Sequence, residues 1–350
     1  MKVVTTTEDY YPDHDGGKFA PIEAITVATW KARAFLENLA VDAHGTVFVT
    51  VYSHNRVDRY DPATRATATF AEVPAPPMGL AFDAGGALWV TAGTLRQGPG
   101  YVYRVDGDGA VRQWCELRGA LFINGCTMHP NGRTLLVCES ASGRILAIDL
   151  DKPGHWGVWL HGNRLKPIIP GYPGANGIKI RDGWAWISVS GRGLMARAPL
   201  QPDGSAGDIE IAVTRLSADD FAFGISGSVY ITTHPEHTLV RLEPSGARTT
   251  LAGAEQGMVG STACAFGRAP GDEKALYVTT DGGFLIPHPG GIQDAKLVRV
   301  EVGEAGLPLN CRERDSYVID QHRTCSHPGR LSKRVAGDGR IVGTPNGLLG

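Results

Sequence analysis

No stretch of this 350-residue chain approaches the ~18 consecutive apolar residues of a membrane-spanning helix. The opening run from Met1 to Asp9 has no apolar core of the secretory kind, so the expected location is cytoplasmic. Net charge is also scarce: 34 basic against 36 acidic side chains leave −2. That balance gives a polyanion nothing to hold, which argues against nucleic acid or an anionic membrane as partner. Six cysteines are present without a CxxC pair. Cys126, Cys138 and Cys264 fall inside hydrophobic runs and read as small buried hydrophobes. Cys311, His322, Cys325 and His327 gather near the C-terminus, but their spacing matches no standard zinc pattern. Gly (46) and Pro (22) are dispersed along the chain, so no flexible linker divides it.

What is present is a repeat. Six segments start alike, with one residue, a short hydrophobic run and a turn: Glu37-Asn38-Leu39-Ala40-Val41-Asp42, Met78-Gly79-Leu80-Ala81-Phe82-Asp83, Asn124-Gly125-Cys126-Thr127-Met128-His129, Asn176-Gly177-Ile178-Lys179-Ile180, Asp220-Phe221-Ala222-Phe223-Gly224 and Thr262-Ala263-Cys264-Ala265-Phe266-Gly267. Each leads into a second strand such as Val47-Phe48-Val49-Thr50 or Leu88-Trp89-Val90-Thr91. A period of roughly 40–50 residues with several short strands per unit marks propeller blades. The expected fold is therefore all-β: a six-bladed β-propeller of four-stranded antiparallel blades. The last blade has no fourth strand after Val302, whereas Ala24–Thr29 is a spare strand-like run. A ring must hide its edges, so this N-terminal run is expected to complete blade 6. The expected organisation is an N-terminal segment over 1–23, one propeller over 24–308 and a polar extension or cap over 309–350.

Radial blades bring equivalent positions to one axis. Around it the sequence places Glu37, Met78, Asn124, Asn176, Asp220 and Thr262. Glu37, Asn124, Asn176 and Asp220 offer hard oxygen ligands and two negative charges, which suits one divalent cation. Calcium fits such donors best; magnesium, manganese and zinc are also compatible. The loops between the second and third strands open on the same face, so His54, His234, Arg96 and Arg192 are expected to rim the site. His234 is the foremost proton carrier among them, because its blade also supplies Asp220. Met78 and Thr262 shape the pocket. Phe122, Phe221, Trp89 and Trp186 are expected at or near it, which favours a fairly apolar substrate.

The phrases Phe35-Leu36-Glu37, Asn124-Gly125, Asn176-Gly177 and Asp219-Asp220-Phe221-Ala222-Phe223 resemble the senescence-marker-protein/gluconolactonase/regucalcin-like six-bladed propellers, whose fold is related to those of diisopropyl-fluorophosphatase, paraoxonase and strictosidine synthase. The resemblance spans roughly residues 35 to 302. It implies Glu37, Asn124, Asn176 and Asp220 as metal ligands and Asp220 as base or nucleophile. The family's usual Pro-Asp-Gly at the last ligand is replaced by Ala218-Asp219-Asp220-Phe221. Asp219 thus competes with Asp220 for the position, and the register read here favours Asp220.

The resulting expectation is a metal-dependent hydrolase, foremost a lactonase acting on a small, fairly apolar lactone or ester. Phe122, Phe221, His54, Arg192, Met78 and Thr262 would contact the substrate. Two alternatives use the same pocket: a secondary-metabolism cyclase or condensing enzyme, and a non-catalytic calcium-binding propeller. The expected partner is a small-molecule substrate, with the protein a monomer or small homo-oligomer.

Overall fold

The computed structural model describes residues 15–169 and 171–307. The 309–350 extension, the cysteine–histidine group within it and most of the 1–23 segment lie outside the described residues. Among the described residues there are six sheets, four of them built entirely from consecutive strands. Strand A of blade 1 is Leu36–Val41, followed outward by Val47–Val51, Arg56–Asp61 and Ala66–Glu72. Blades 2 to 5 repeat this order, starting from Pro77–Phe82, Ile123–Met128, Ala175–Arg181 and Phe221–Phe223. Blade 6 contributes Ser261–Phe266, Ala275–Thr280 and Ala295–Glu301 from its own segment.

Its fourth strand is Ala24–Trp30, antiparallel to Ala295–Glu301. Closure by the N-terminal run is thus borne out, one residue beyond its expected end. A further pair, Lys18–Phe19, adds to the rim of blade 5 in parallel with Arg248–Ala252. The sequence gives no sign of it.

Hydrophobic residues of each blade pack against the next blade. Between blades 6 and 1 lies a cluster of Trp30, Leu39, Val47, Val49, Tyr277 and Leu297. Cys126, Cys138 and Cys264 are buried and free, as expected of small hydrophobes. In blades 1 and 2 the A–B hairpin closes on an aspartate, Asp42 and Asp83. In blade 1 the Asp42 carboxylate accepts the backbone N–H groups of His44 and Thr46 at 2.8 and 2.9 Å. Gly45, at φ +90°, makes the left-handed step of that turn.

One device recurs at the start of strand A. The A–B pairing slips between Leu36 and Leu39, Pro77 and Leu80, Ile123 and Cys126, and Ala175 and Ile178. In blade 5, Thr232 accepts from the Asp219 N–H and donates its own N–H to Asp220, so two residues again oppose one. These are β-bulges, which re-aim side chains. A hydroxyl on strand B then crosses to the next blade. Thr50 Oγ1 donates to the Met78 carbonyl (2.9 Å), Thr91 to Asn124 (2.7 Å), Ser188 to Asp219 and Thr232 to Thr262 (2.8 Å). Each acceptor is the first bulge residue of the following blade, so these bonds fix which residues face the axis at one level.

Candidate functional site

The first bulge residues Glu37, Met78, Asn124, Asn176 and Asp219 line one cavity of about 470 Å3 at this end of the axis. Asp219, not Asp220, completes the ring. This corrects the expected register, and the cause is the bulge: the two adjacent aspartates point different ways. Asp220 turns down the axis, where Lys179 Nζ meets its two oxygens at 2.8 and 2.9 Å. Asn38 Nδ2 donates to it at 3.1 Å. Neither member of this buried ion pair lines the cavity.

Serines orient the two asparagines. Ser140 and Ser190 each spend their single hydroxyl proton on a backbone carbonyl of the next blade, Ala175 O (2.6 Å) and Ala218 O (2.7 Å). They can then only accept, so Asn124 and Asn176 must present their NH2 groups to them, at 3.4 and 2.9 Å. Both amide carbonyl oxygens are left for the cavity. Asn176 Nδ2 also donates to Asp219.

Glu37 is 7% exposed, and no hydrogen bond reaches its carboxylate from the described residues. Burial, then the negative charge of Asp219, holds its carboxyl well above the ordinary range. Burial also raises Asp219, against the pull of His234. His234 Nδ1 lies 3.4 Å from Asp219 Oδ2, and its Nε2 lies 3.0 Å from Asp281 Oδ2. Burial alone would lower this imidazole, but the two aspartate hydrogen bonds outweigh it and hold it well above its usual value.

This donor set fits a hard divalent cation: two carboxylates, two freed amide carbonyls and no soft atom. Among the described residues no three His, Cys, Asp or Glu side chains form a ligand group. Glu37, Asn124, Asn176 and Asp219 would hold the ion.

The remaining walls are largely apolar and include Phe35, Leu95, Phe122, Pro235, Leu285 and Ile286. Of the expected rim and pocket residues, Met78, Phe122, His234 and Arg96 line the cavity. Arg96 lies over the Phe122 ring, its guanidinium carbon 5.7 Å from the centroid.

Several expected residues lie elsewhere. Thr262 turns its hydroxyl to the Leu36 carbonyl (2.7 Å) and seals blades 6 and 1. Phe221 points between blades 4 and 5, packed on Phe223 and Met195. Trp89 packs on Trp114 of its own blade in the cluster shared with blade 3, and Trp186 meets Phe223 of blade 5. His54 is exposed and bonded to Ser53. Arg192 is spent on the carbonyls of Lys166 (2.8 Å) and Asn163 (2.7 Å). Asp281, Ser140 and Ser190 carry parts of the site that the sequence reading did not single out.

No protein-family description and no curated protein matches the chain. Solved structures match its fold. A luciferin-regenerating enzyme has 13% identity and a TM-score of 0.62, over 81% of this chain and 98% of its own. A calcium-binding regucalcin from Agrobacterium tumefaciens has 16% identity and a TM-score of 0.60, over 81% and 96%. A gluconolactonase from Xanthomonas campestris has 13% identity and a TM-score of 0.59, over 83% and 96%. The chain therefore shares the six-bladed fold of the family it resembles in sequence motifs.

Proposed function

We propose that the protein is a divalent-metal-dependent hydrolase, foremost a lactonase for a small, fairly apolar lactone. The observation that carries this reading is Glu37 buried beside Asp219, with two asparagine carbonyls freed toward the same cavity. Such a site is costly empty and favourable around a cation. The gluconolactonase and regucalcin among the fold neighbours support the reading.

A bound divalent cation would supply Lewis-acid polarisation of the lactone carbonyl. The protein supplies the rest. Phe35, Met78 and Phe122 bury the carbon skeleton and exclude water around it. The attacking water gives its proton to the Asp219 carboxylate, and His234, held protonated by its two aspartates, gives one to the ring oxygen as the acyl bond breaks; the proton on Asp219 then restores Nδ1 across their shared contact. Asp219 holds that imidazole at the cavity edge.

The test is turnover of aryl and sugar lactones by the purified chain, with EDTA and after calcium is restored. Hydrolysis that EDTA stops and calcium recovers, faster on aryl than on sugar lactones, is expected. A cation bound in the cavity without lactone turnover would overturn the hydrolase and leave the cyclase or binding alternatives.

A further inference from the structure

Asp281 has no place in the reading above, yet it is fully buried at the edge of the cavity. It sits where blade 6 leaves its second strand, just after Ala275–Thr280. One oxygen, Oδ1, accepts the Gly283 N–H at 2.7 Å. The other, Oδ2, accepts the Leu285 N–H at 2.9 Å and meets His234 Nε2 at 3.0 Å. A single atom thus joins two things: the imidazole from blade 5, and the blade 6 loop whose Leu285 and Ile286 form part of the apolar wall.

We propose that Asp281 is a positioning residue that fixes the His234 ring and the Leu285–Ile286 wall as one unit. An acceptor at Nε2 requires a proton there, which leaves Nδ1 as the atom turned to Asp219 and the cavity. Without that acceptor the ring is free to rotate or to take its other tautomer. Holding Leu285 through the same oxygen ties the wall's position to that of the ring, so a substrate pressed against the wall meets an imidazole already aligned. The catalytic consequence rests on the lactonase reading; the positioning itself does not.

The experiment uses the full chain with 15N-labelled histidine, in wild type, Asp281→Asn and His234→Asn. Wild type should show one downfield, slowly exchanging imidazole N–H that disappears in both variants. Hydrogen exchange of the 282–287 loop should quicken in Asp281→Asn but not in His234→Asn. Kinetics are read with dihydrocoumarin at saturating calcium. Asp281→Asn should lower kcat about 10–100-fold, the usual cost of losing a supporting residue, with KM within about threefold. In the His234→Asn background the same change should cost little further, because both substitutions remove one unit.

A wild type without the slow imidazole proton, or one that keeps it in Asp281→Asn, overturns the positioning role. So does a 282–287 loop whose exchange is unchanged in Asp281→Asn, or a double variant in which the two costs multiply. Wild type inert toward dihydrocoumarin and the other lactones would sink the hydrolase reading, and the spectroscopic and exchange results would still decide the role of Asp281.

Discussion

Asp219 and Asp220 are neighbours in sequence with opposite jobs, and substitution should separate them. Asp219→Asn removes one of two cavity carboxylates. Calcium affinity, read by calorimetry, should fall by at least the ~10–100-fold that even a supporting residue costs, while the fold persists. Asp220→Asn strips the counter-charge from buried Lys179 and should cost about 3–5 kcal/mol in denaturant unfolding. The reverse pattern would return Asp220 to the cation site. The sequence did hold the clue. Two and four residues after Glu37, Met78, Asn124 and Asn176 stand Leu39 and Val41, Leu80 and Phe82, Cys126 and Met128, Ile178 and Ile180. The same spacing from Phe221 and Phe223 leads back to Asp219. Asp281 left no such trace, since its link to His234 crosses two blades. Glu236 gives a separate test at this scale, because burial pushes its carboxyl up to about 7 from 4.5. A raised carboxyl favours folding at low pH, and that contribution is lost as pH rises from 4.5 toward 7. Glu236→Gln should therefore stabilise the protein at pH 8 by about 1 kcal/mol, allowing for its partial exposure, or ~2–4 °C in Tm. At pH 5 it should have little effect. Equal gains at both values would refute the assignment.

At the scale of the element, the A-strand bulge decides which side chains reach the cavity. Its second position lies against the next blade, and three blades place glycine there. A Cβ on Gly125 would come within 2.7 Å of the Asn176 carbonyl oxygen, and one on Gly177 within 2.5 Å of Asp220 Oδ1. Gly125→Ala must push blades 3 and 4 apart at the level of the asparagines. It should cost about 1–3 kcal/mol, the usual range for overpacking, and weaken calcium binding although it touches no ligand. Full calcium affinity in a folded Gly125→Ala protein would show that the asparagines are not held by this contact. Gly79, Gly125 and Gly177 were visible in the sequence as the second residues of three of the repeats. Their actual work, close approach of blade to blade, depends on a ring that no single segment reveals. The outward loops were read less well for a related reason. His54, His234, Arg96 and Arg192 occupy comparable loops, but whether each reaches the cavity depends on local bonds. Arg192 is drawn to the carbonyls of Asn163 and Lys166, whereas His234 is drawn inward by Asp219 and Asp281.

For the whole molecule, the seam between blades 6 and 1 decides whether a ring exists at all. Ala24–Trp30 supplies every hydrogen bond on the outer side of Ala295–Glu301. It also reaches across the seam: Trp30 Nε1 donates to Asp58 Oδ2 at 2.7 Å, and the indole packs with Leu39 and Val49. The seam was legible because it shows up as bookkeeping, with one blade short of a strand and one strand without a blade. A chain beginning at residue 31 loses that strand, the indole and the Asp58 bond together. Asp58 then stays buried with Arg56 alone, and the 295–301 edge lies open to other copies. Such a chain should aggregate or melt far below the full-length protein. A synthetic 15–30 peptide added in trans should restore soluble, calcium-binding protein, because the missing contribution is a strand rather than a connection. Trp30→Phe grades the effect: it keeps most of the packing but leaves a buried carboxylate short of a donor, at about 1–3 kcal/mol. A truncated protein that stays monomeric with an unchanged Tm would mean the ring closes without its N-terminal strand, and that the pairing with Ala295–Glu301 is dispensable.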